Sequence, residues 1–252
     1  MPRGVAADFQ VRLAQTEADV QAAQQLRYDV FVRELGGGGP MVDHAAGLER
    51  DRFDPYFDHL LLTDRRSGKL AGVYRVMRSD MAARAGGFYS AAEYNLAPLV
   101  QSGRKLLELG RSCLDPAYRG GTAMHHLWAA LAGYVAEYEI EVLFGVASFH
   151  GTDTAALAEP LSLLHHRHLA PPELRVRARE YAPMDLIPEA ELDRRMAMLA
   201  VPSLIKAYLR LGGTVGEGAY IDRAFNTTDV CLILDTKQMS ARQMRFYNGS
   251  AA

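Results

Sequence analysis

Glu108 and Arg111 stand three residues apart in "KLLELGRSCL", a mostly apolar run that reads as a strand. Charged side chains inside such a strand need a partner or a task. Alternate residues of a strand face opposite sides, so a regular strand would separate this pair. A bulge near Gly110 would bring the two closer and leave a backbone N–H and C=O unpaired. Such an N–H can polarise a carbonyl, as an oxyanion donor does. A glutamate in partly apolar surroundings has a raised pKa and can accept a proton from an ammonium nucleophile. The strand breaks at Asp115-Pro116 and leads to Arg119-Gly120-Gly121-Thr122, where a helix begins whose free N–H groups suit a phosphate. The same residues also fit a plainer arrangement: a salt bridge pinning a strand edge, and a helix start with no ligand.

The elements that must position this pair follow from periodicity. "DFQVRLA" alternates as a first strand, and Thr16 caps a helix over "EADVQAAQQLRYDVFVREL". Val20, Ala23, Gln24, Arg27 and Phe31 share one side of that helix, so an arginine points inward. Gly36–Gly39 with Pro40 end it. "HLLLTD" and "KLAGVYRVMR" form a hairpin about Arg65-Arg66-Ser67-Gly68. Residues 121–139 are a strongly amphipathic helix, "VLFGVASF" is a buried strand, and Thr152 caps a helix to about His165. "LRVRARE" reads as a basic strand, 189–211 as helix interrupted by Pro202, and the chain closes on a final strand in "NTTDVCLILD". The order predicts an α/β fold with a mixed central sheet, in which residues 1–170 are the core and 171–252 an extension completing the same domain.

The 252-residue chain is 49% hydrophobic and 23% charged, an ordinary globular composition. A formal net charge of −2 gives no sign of a nucleic-acid partner. Two cysteines are too few for a disulfide framework or a cysteine-rich zinc site, and they suggest a reducing, cytoplasmic setting. His165 and His168 have helical spacing, but no carboxylate completes a zinc signature, so no metal is expected. No apolar run approaches the roughly 20 residues that span a bilayer, and "MPRGVAADFQVRLA" lacks the apolar stretch of a signal peptide.

The strand–turn–helix block resembles the acyl-donor motif of the GNAT acyltransferase superfamily. Its Arg-x-x-Gly-x-Gly/Ala turn falls on Arg119 to Met124, with Thr122 and Met124 where small residues are usual. That departure argues against acetyl-CoA as donor. "LRYDVFVREL", "LERDRFD", "GVYRVM" and "LELGRSCLDPAYR" look like the homoserine-lactone autoinducer synthases, and more like the bacterial ornithine lipid N-acyltransferases. "LFGVASFHGTD" and the tail "LIKAYLRLGGTVGEGAYIDRAFNTTDVCLILD" are similar to the lipid family and unlike the autoinducer synthases.

The resemblance implies a GNAT-like fold with a mostly antiparallel sheet. It also implies transfer of a 3-hydroxyacyl chain from acyl carrier protein to the α-amino group of L-ornithine, giving lyso-ornithine lipid. The carrier's acyl-phosphopantetheine would be a co-substrate, and no cofactor is expected. Glutamine is the alternative acceptor; a non-catalytic carrier- or lipid-binding module is the alternative of another class. By the same resemblance Glu108 is the general base, and Arg111 orients it or pairs with Asp51 or Asp54. Asp51 and Asp54 suit a cationic side chain, and Arg27 and Arg75 suit the acceptor's carboxylate. Phe31 and Ser148 join the acceptor site; each also has a structural reading, as core and as part of a helix start. Ser112, Cys113, Arg119, Gly120, Gly121 and Thr122 line the donor site, with neither Ser112 nor Cys113 a nucleophile. Arg104, Lys105 and Arg119, and the "LRVRARE" arginines Arg175, Arg177 and Arg179, offer basic surface for an acidic carrier. Met124, Leu127, Trp128, Leu143 and Phe144 offer lining for an acyl tunnel. "SARQMRFYNG" offers peripheral contact with lipid headgroups.

Overall fold

Both faces of the sheet that holds the two hairpin runs are covered. The protein is described by a computed structural model over residues 8–239. The "SARQMRFYNG" segment lies outside the described residues. Among the described residues one sheet contains, in chain order, β1 (Phe9–Leu13), β2 (Asp58–Asp64), β3 (Leu70–Arg78), β4 (Leu106–Leu114), β5 (Val142–His150), β6 (Thr214–Val215), β7 (Tyr220–Asp222) and β8 (Thr227–Asp235). Their spatial order is β1-β2-β3-β4-β5-β8-β6, with β7 also paired to β8. Every pairing is antiparallel except β4 with β5. The late strand β8 lies beside β5 along its whole length, Thr227 opposite His150 and Asp235 opposite Val142.

Among the described residues the α-helices longer than one turn are α1 (Glu17–Arg27), α2 (Ser79–Ala85), α3 (Ala123–Glu137), α4 (Ala158–His168), α5 (Arg194–Ala200) and α6 (Ser203–Arg210). One sheet face packs Leu60, Leu62, Tyr74 and Leu109 against α3 (Leu127, Leu131), α4 (Leu161, Leu164) and α6 (Ile205, Tyr208). The other face packs Leu61, Val73 and Cys113 against α1, and Met77, Phe144 and Ile233 against α2 and the 88–99 loop. Thr16 caps α1 as expected: Asp19 N donates to Thr16 Oγ1 at 3.1 Å, and Thr16 N donates to Asp19 Oδ2 at 3.2 Å. Beyond Arg27 the helix widens into a π-helix over Tyr28–Glu34.

Two sequence expectations change. The helix after β5 starts at Ala158, not near Thr152; Asp153 instead holds a turn, its Oδ1 accepting from Ala155 N at 3.0 Å. "LRVRARE" does not join the main sheet. Only Arg177–Ala178 pairs, with Tyr94–Asn95, while Ala178 N and Arg179 N donate to the main-chain oxygens of Glu217 and Glu93. Its backbone is satisfied by loops, so alternation there did not mean a strand.

The central feature is a parting in the sheet. β4 and β5 pair at three rows, Leu106 with Val142, Leu107 with Leu143, and Glu108 with Phe144, and then separate. A Cβ on Gly145 would stand 2.2 Å from the Leu109 carbonyl oxygen, so only glycine fits where the strands begin to diverge. Gly145→Ala should therefore destabilise the fold by roughly 1–3 kcal/mol through overpacking. Urea unfolding at pH 7 measures it, and a variant as stable as wild type would contradict this constraint.

Candidate active site

The β3–β4 register holds a bulge. Val73 lies opposite Cys113 and Arg75 opposite Gly110, so one residue of β3 faces two of β4, Arg111 and Ser112. Arg111 takes up the distortion with φ 50. The extra residue turns Glu108 and Arg111 to the same face, and both reach Tyr89. Tyr89 N donates to Glu108 Oε2 at 2.8 Å, and Arg111 Nη2 donates to the Tyr89 hydroxyl at 3.0 Å. Ser90 N and Ser90 Oγ both donate to Glu108 Oε1, at 2.6 and 2.5 Å. A carboxylate has about four acceptor sites, so one on Oε2 stays free. Burial raises the Glu108 pKa, against the pull of Ser90 and Tyr89.

Behind this pair runs a chain of alternating charges. Asp51 Oδ2 accepts from Arg75 Nη2 at 2.7 Å, and Arg75 Nη1 donates to Asp54 Oδ1 at 2.7 Å. Arg27 donates to both Asp54 oxygens, at 2.8 and 2.9 Å, and through Nε to Glu49 Oε2 at 2.5 Å. Arg111 Nε donates to Glu49 Oε1 at 3.0 Å. Arg27, Arg75, Glu49 and Asp54 are buried. Three cations match three anions, the condition under which so much buried charge is tolerated. Burial pushes the Asp54 carboxyl up, but Arg27 and Arg75 outweigh it and hold it well below the usual range. Asp51 is shifted the same way by Arg75.

This chain reassigns several residues singled out in the sequence. Arg27 has all three guanidinium nitrogens bonded inside the protein, and Asp51 and Asp54 are already matched by arginine. Neither arginine is free to clasp a substrate carboxylate, and neither aspartate is free for a substrate ammonium. Arg111 pairs with Glu49 rather than with Asp51 or Asp54. Arg75 Nε is the exception: it is buried without a hydrogen-bond partner, beside Gly110.

A cavity of about 300 Å³ fills the parting. Tyr74, Leu109, Leu143, Leu204, Tyr208 and Leu232 line it toward α6, and Glu93, Glu108, Arg111, Ser148, Asp222 and Asp229 line it on the opposite side. Burial, with Asp229 as a nearby like charge, pushes the Glu93 carboxyl up to about 8. Burial pushes Asp229 up to about 6, against the nearby hydroxyls of Ser148 and Thr227.

Phe31, Ser112 and Ser148 line the cavity, and Ser112 Oγ is buried without a partner. Cys113 does not line it: the thiol is buried under α1, where burial pushes it up to about 12. The turn Arg119-Gly120-Gly121-Thr122 is exposed at the start of α3, outside the cavity. Arg119 forks onto Glu34 at 2.5 and 2.7 Å. Arg104 and Lys105 precede β4 while Arg119 follows it, so these three form no cluster; Arg104 pairs with Asp235 and Lys105 with Glu139. Arg175 and Arg179 donate to the main-chain oxygens of Ala170 and Ala91, and Arg177 pairs with Glu217. Of the suggested tunnel residues, Leu143 and Phe144 face the cavity, whereas Leu127 is core and Met124 and Trp128 pack against that core. His166 Nε2 bonds the Ile187 carbonyl oxygen at 2.9 Å. Among the described residues no group of side chains could hold a metal ion, and no helix is long and apolar enough to cross a membrane.

Sequence reading missed Glu49, Tyr89, Ser90, Glu93 and Asp222. Glu49 had a signal, standing two residues before Asp51 in "LERDRFD". Tyr89, Ser90 and Glu93 lie in a short 3-10 turn and its end, and Asp222 ends the three-residue β7, segments too short for periodicity to mark a side chain as inward.

A parted mixed sheet with a bulged strand beside the gap defines a GNAT-fold acyltransferase. The acetyltransferase (GNAT) domain family matches residues 26–129. An N-acyl amino acid synthase from uncultured soil microbes superposes with a TM-score of 0.54 at 12% identity, over 98% of this chain and all (100%) of that one. The AHL synthase LasI superposes with a TM-score of 0.51 at 15% identity, over 97% and 96% of the two chains. The L-ornithine N(alpha)-acyltransferase of Rhodobacter capsulatus is 58% identical over 95% of this chain and 94% of its own length. The chain belongs to the L-ornithine N(alpha)-acyltransferase family.

Two predictions follow from these charges. Asp54→Asn leaves Arg27 and Arg75 under-compensated in the interior, and should cost about 3–5 kcal/mol in urea unfolding at pH 7; a cost below about 1 kcal/mol would contradict the buried chain. Glu93 binds its proton more tightly folded than unfolded. Its burden on stability is absent below the unfolded value of 4.5 and complete above about 8. Glu93→Gln removes that burden, so its Tm relative to wild type should rise from pH 5 to pH 8; thermal melts across that range measure it.

Proposed function

We propose that the chain moves a 3-hydroxyacyl group from the phosphopantetheine thiol of an acyl carrier protein to the α-amino group of L-ornithine, giving lyso-ornithine lipid. The cavity carries this reading. It is apolar on one side of the sheet and acidic on the other, and the bulge lies between. The family's name supplies the acceptor.

The acyl chain lies among Leu109, Leu143, Leu204 and Leu232, and its thioester carbon stands beside Gly110–Ser112. There the strands have separated, so main-chain N–H groups are free to meet the carbonyl oxygen. Arg75 Nε, buried and unpartnered beside Gly110, adds positive charge at the same place. The acceptor enters from the acidic side. Arg111 uses Nε and Nη2 inside the protein, which leaves Nη1 for the acceptor's carboxylate. The free acceptor site on Glu108 Oε2 takes a proton from the α-ammonium, directly or through one water. The amine nitrogen then attacks the carbonyl carbon, the C–N bond forms and the C–S bond breaks. The nitrogen loses a second proton as the amide forms; the departing thiolate takes up one of the two protons the amine gives up, and the other passes to solvent. The products are an amide and a free carrier thiol. No cofactor takes part, and by this reading the reaction is cytoplasmic, with the amphipathic product passing to a membrane surface.

The direct test is free-thiol release from purified protein and 3-hydroxyacyl carrier, with ornithine, lysine, glutamine and glycine offered in parallel. Ornithine should give the fastest release. Glu108→Gln should lower kcat by about 100-fold or more. Melting of the variant is followed alongside, because an amide NH₂ at this position meets an N–H donor of the 89–90 turn. A folded Glu108→Gln protein that keeps wild-type kcat would remove Glu108 as the base.

A further inference from the structure

Two carboxyl oxygens in the acidic half of the cavity have nothing to bind. Glu93 Oε2 and Asp229 Oδ1 are buried, and neither has a hydrogen-bond partner. Their residues are 7% and 4% exposed and both line the cavity. Buried carboxyl groups ordinarily recruit a cation or a set of N–H donors. Around Glu93 the like charges are Asp229, Asp222 and Glu108, and the opposing charge is Arg111; around Asp229 they are Asp222 and again Arg111. Arg111 is already engaged by Glu49 and Tyr89. This half of the cavity therefore has more carboxyl groups than cations.

The two residues are also held in place. Tyr94, next to Glu93 in the chain, donates its hydroxyl to the Asp229 main-chain oxygen at 2.9 Å and to that of Gly218 at 3.0 Å. The Glu93 main-chain oxygen accepts from Arg179 N at 2.8 Å. The loop that carries Glu93 is thus tied to the strand that carries Asp229, and the subsite is formed before any ligand arrives.

Resting on the acyl-transfer reading above, we propose that Glu93 and Asp229 form the subsite for the side-chain ammonium of the acceptor, and so select a diamino acid over neutral analogues of equal length. The ammonium supplies the cation that this half of the cavity lacks. A neutral side chain there would leave both carboxyl oxygens unpartnered, a cost that rejects it. Near pH 7 the pair holds about one proton, because burial, with Asp229 as a nearby like charge, pushes Glu93 up to about 8, and burial, with Asp222 nearby, pushes Asp229 up to about 6. An arriving ammonium favours ionisation of both groups, so binding releases a proton to solvent.

The test is calorimetric titration of the protein at pH 7 with L-ornithine and with L-norvaline, which has the same chain length without the terminal amine. Titrations are run with and without unacylated carrier protein, in phosphate and in Tris, so that the buffer dependence of the heat counts released protons. Ornithine should bind at least about tenfold more tightly than norvaline and release up to about one proton, and norvaline should release none. Glu93→Gln and Asp229→Asn should bring the two ligands to within about threefold and abolish the release. Equal affinity of the wild type for the two ligands, or no ornithine binding under either condition, would overturn the proposal whether or not the variants fold. So would variants that lose both ligands alike. If the wild type discriminates in binding but frees no thiol from acyl carrier with ornithine, the subsite stands and the acyl-transfer reading falls.

Discussion

The buried chain Asp51–Arg75–Asp54–Arg27–Glu49–Arg111 is the interaction on which the rest of the site depends. It joins α1, the loop before β2, β3 and the bulged strand β4. Each of these has other packing of its own, but among the described residues these side chains connect the helix to the bulge through charge. An unmatched charge in such a place is costly, so the chain fixes the relative position of all its members. Arg111 is the outermost link and adopts φ 50 to reach it. Strain at one residue is thus maintained by pairing at several others, as is common where geometry serves a site.

Two further constraints turn this scaffold into a reaction chamber. The sheet parts after three β4–β5 rows, which frees main-chain N–H groups without removing them from a rigid strand. The two faces of the sheet differ in character, so the opening joins an apolar compartment to an acidic one. A hydrocarbon chain and a charged amino acid need opposite solvents. On the proposed reading, the gap in the sheet gives each its own while their reactive atoms meet at the boundary. The acids also divide by environment. Asp51 and Asp54 face arginines and stay ionised, whereas Glu93 and Asp229 are buried without such a partner, near other carboxyl groups, and hold their protons more tightly.

Much of this was legible in the order of residues. The charged pair in a strand, the nearby glycine, the inward arginine of α1 and the charge in the middle of "GVYRVM" all pointed to buried polar structure. Their partners were harder to assign. From sequence Arg27, Arg75, Asp51 and Asp54 look equally suited to a substrate and to one another, because a guanidinium binds either kind of carboxylate with the same fork. The π-helical stretch after Arg27 left no mark that an α-helical pattern does not share. "LRVRARE" alternated as a strand would, yet its hydrogen bonds go to loops.

By itself the sequence determined most of the strands and helices, the inward charges, the case for a bulge near Gly110 and the family resemblance. These are local properties: side-chain period, turn chemistry and backbone freedom are set by residues within a few positions of each other. Tertiary structure alone decided which charges neutralise one another and which remain for a ligand. Glu49 and Arg111 are 62 residues apart, and Tyr94 and Asp229 are 135 apart. A carboxylate's role is fixed by what lies within a few ångströms of it, and over such separations only the folded chain brings that neighbour in.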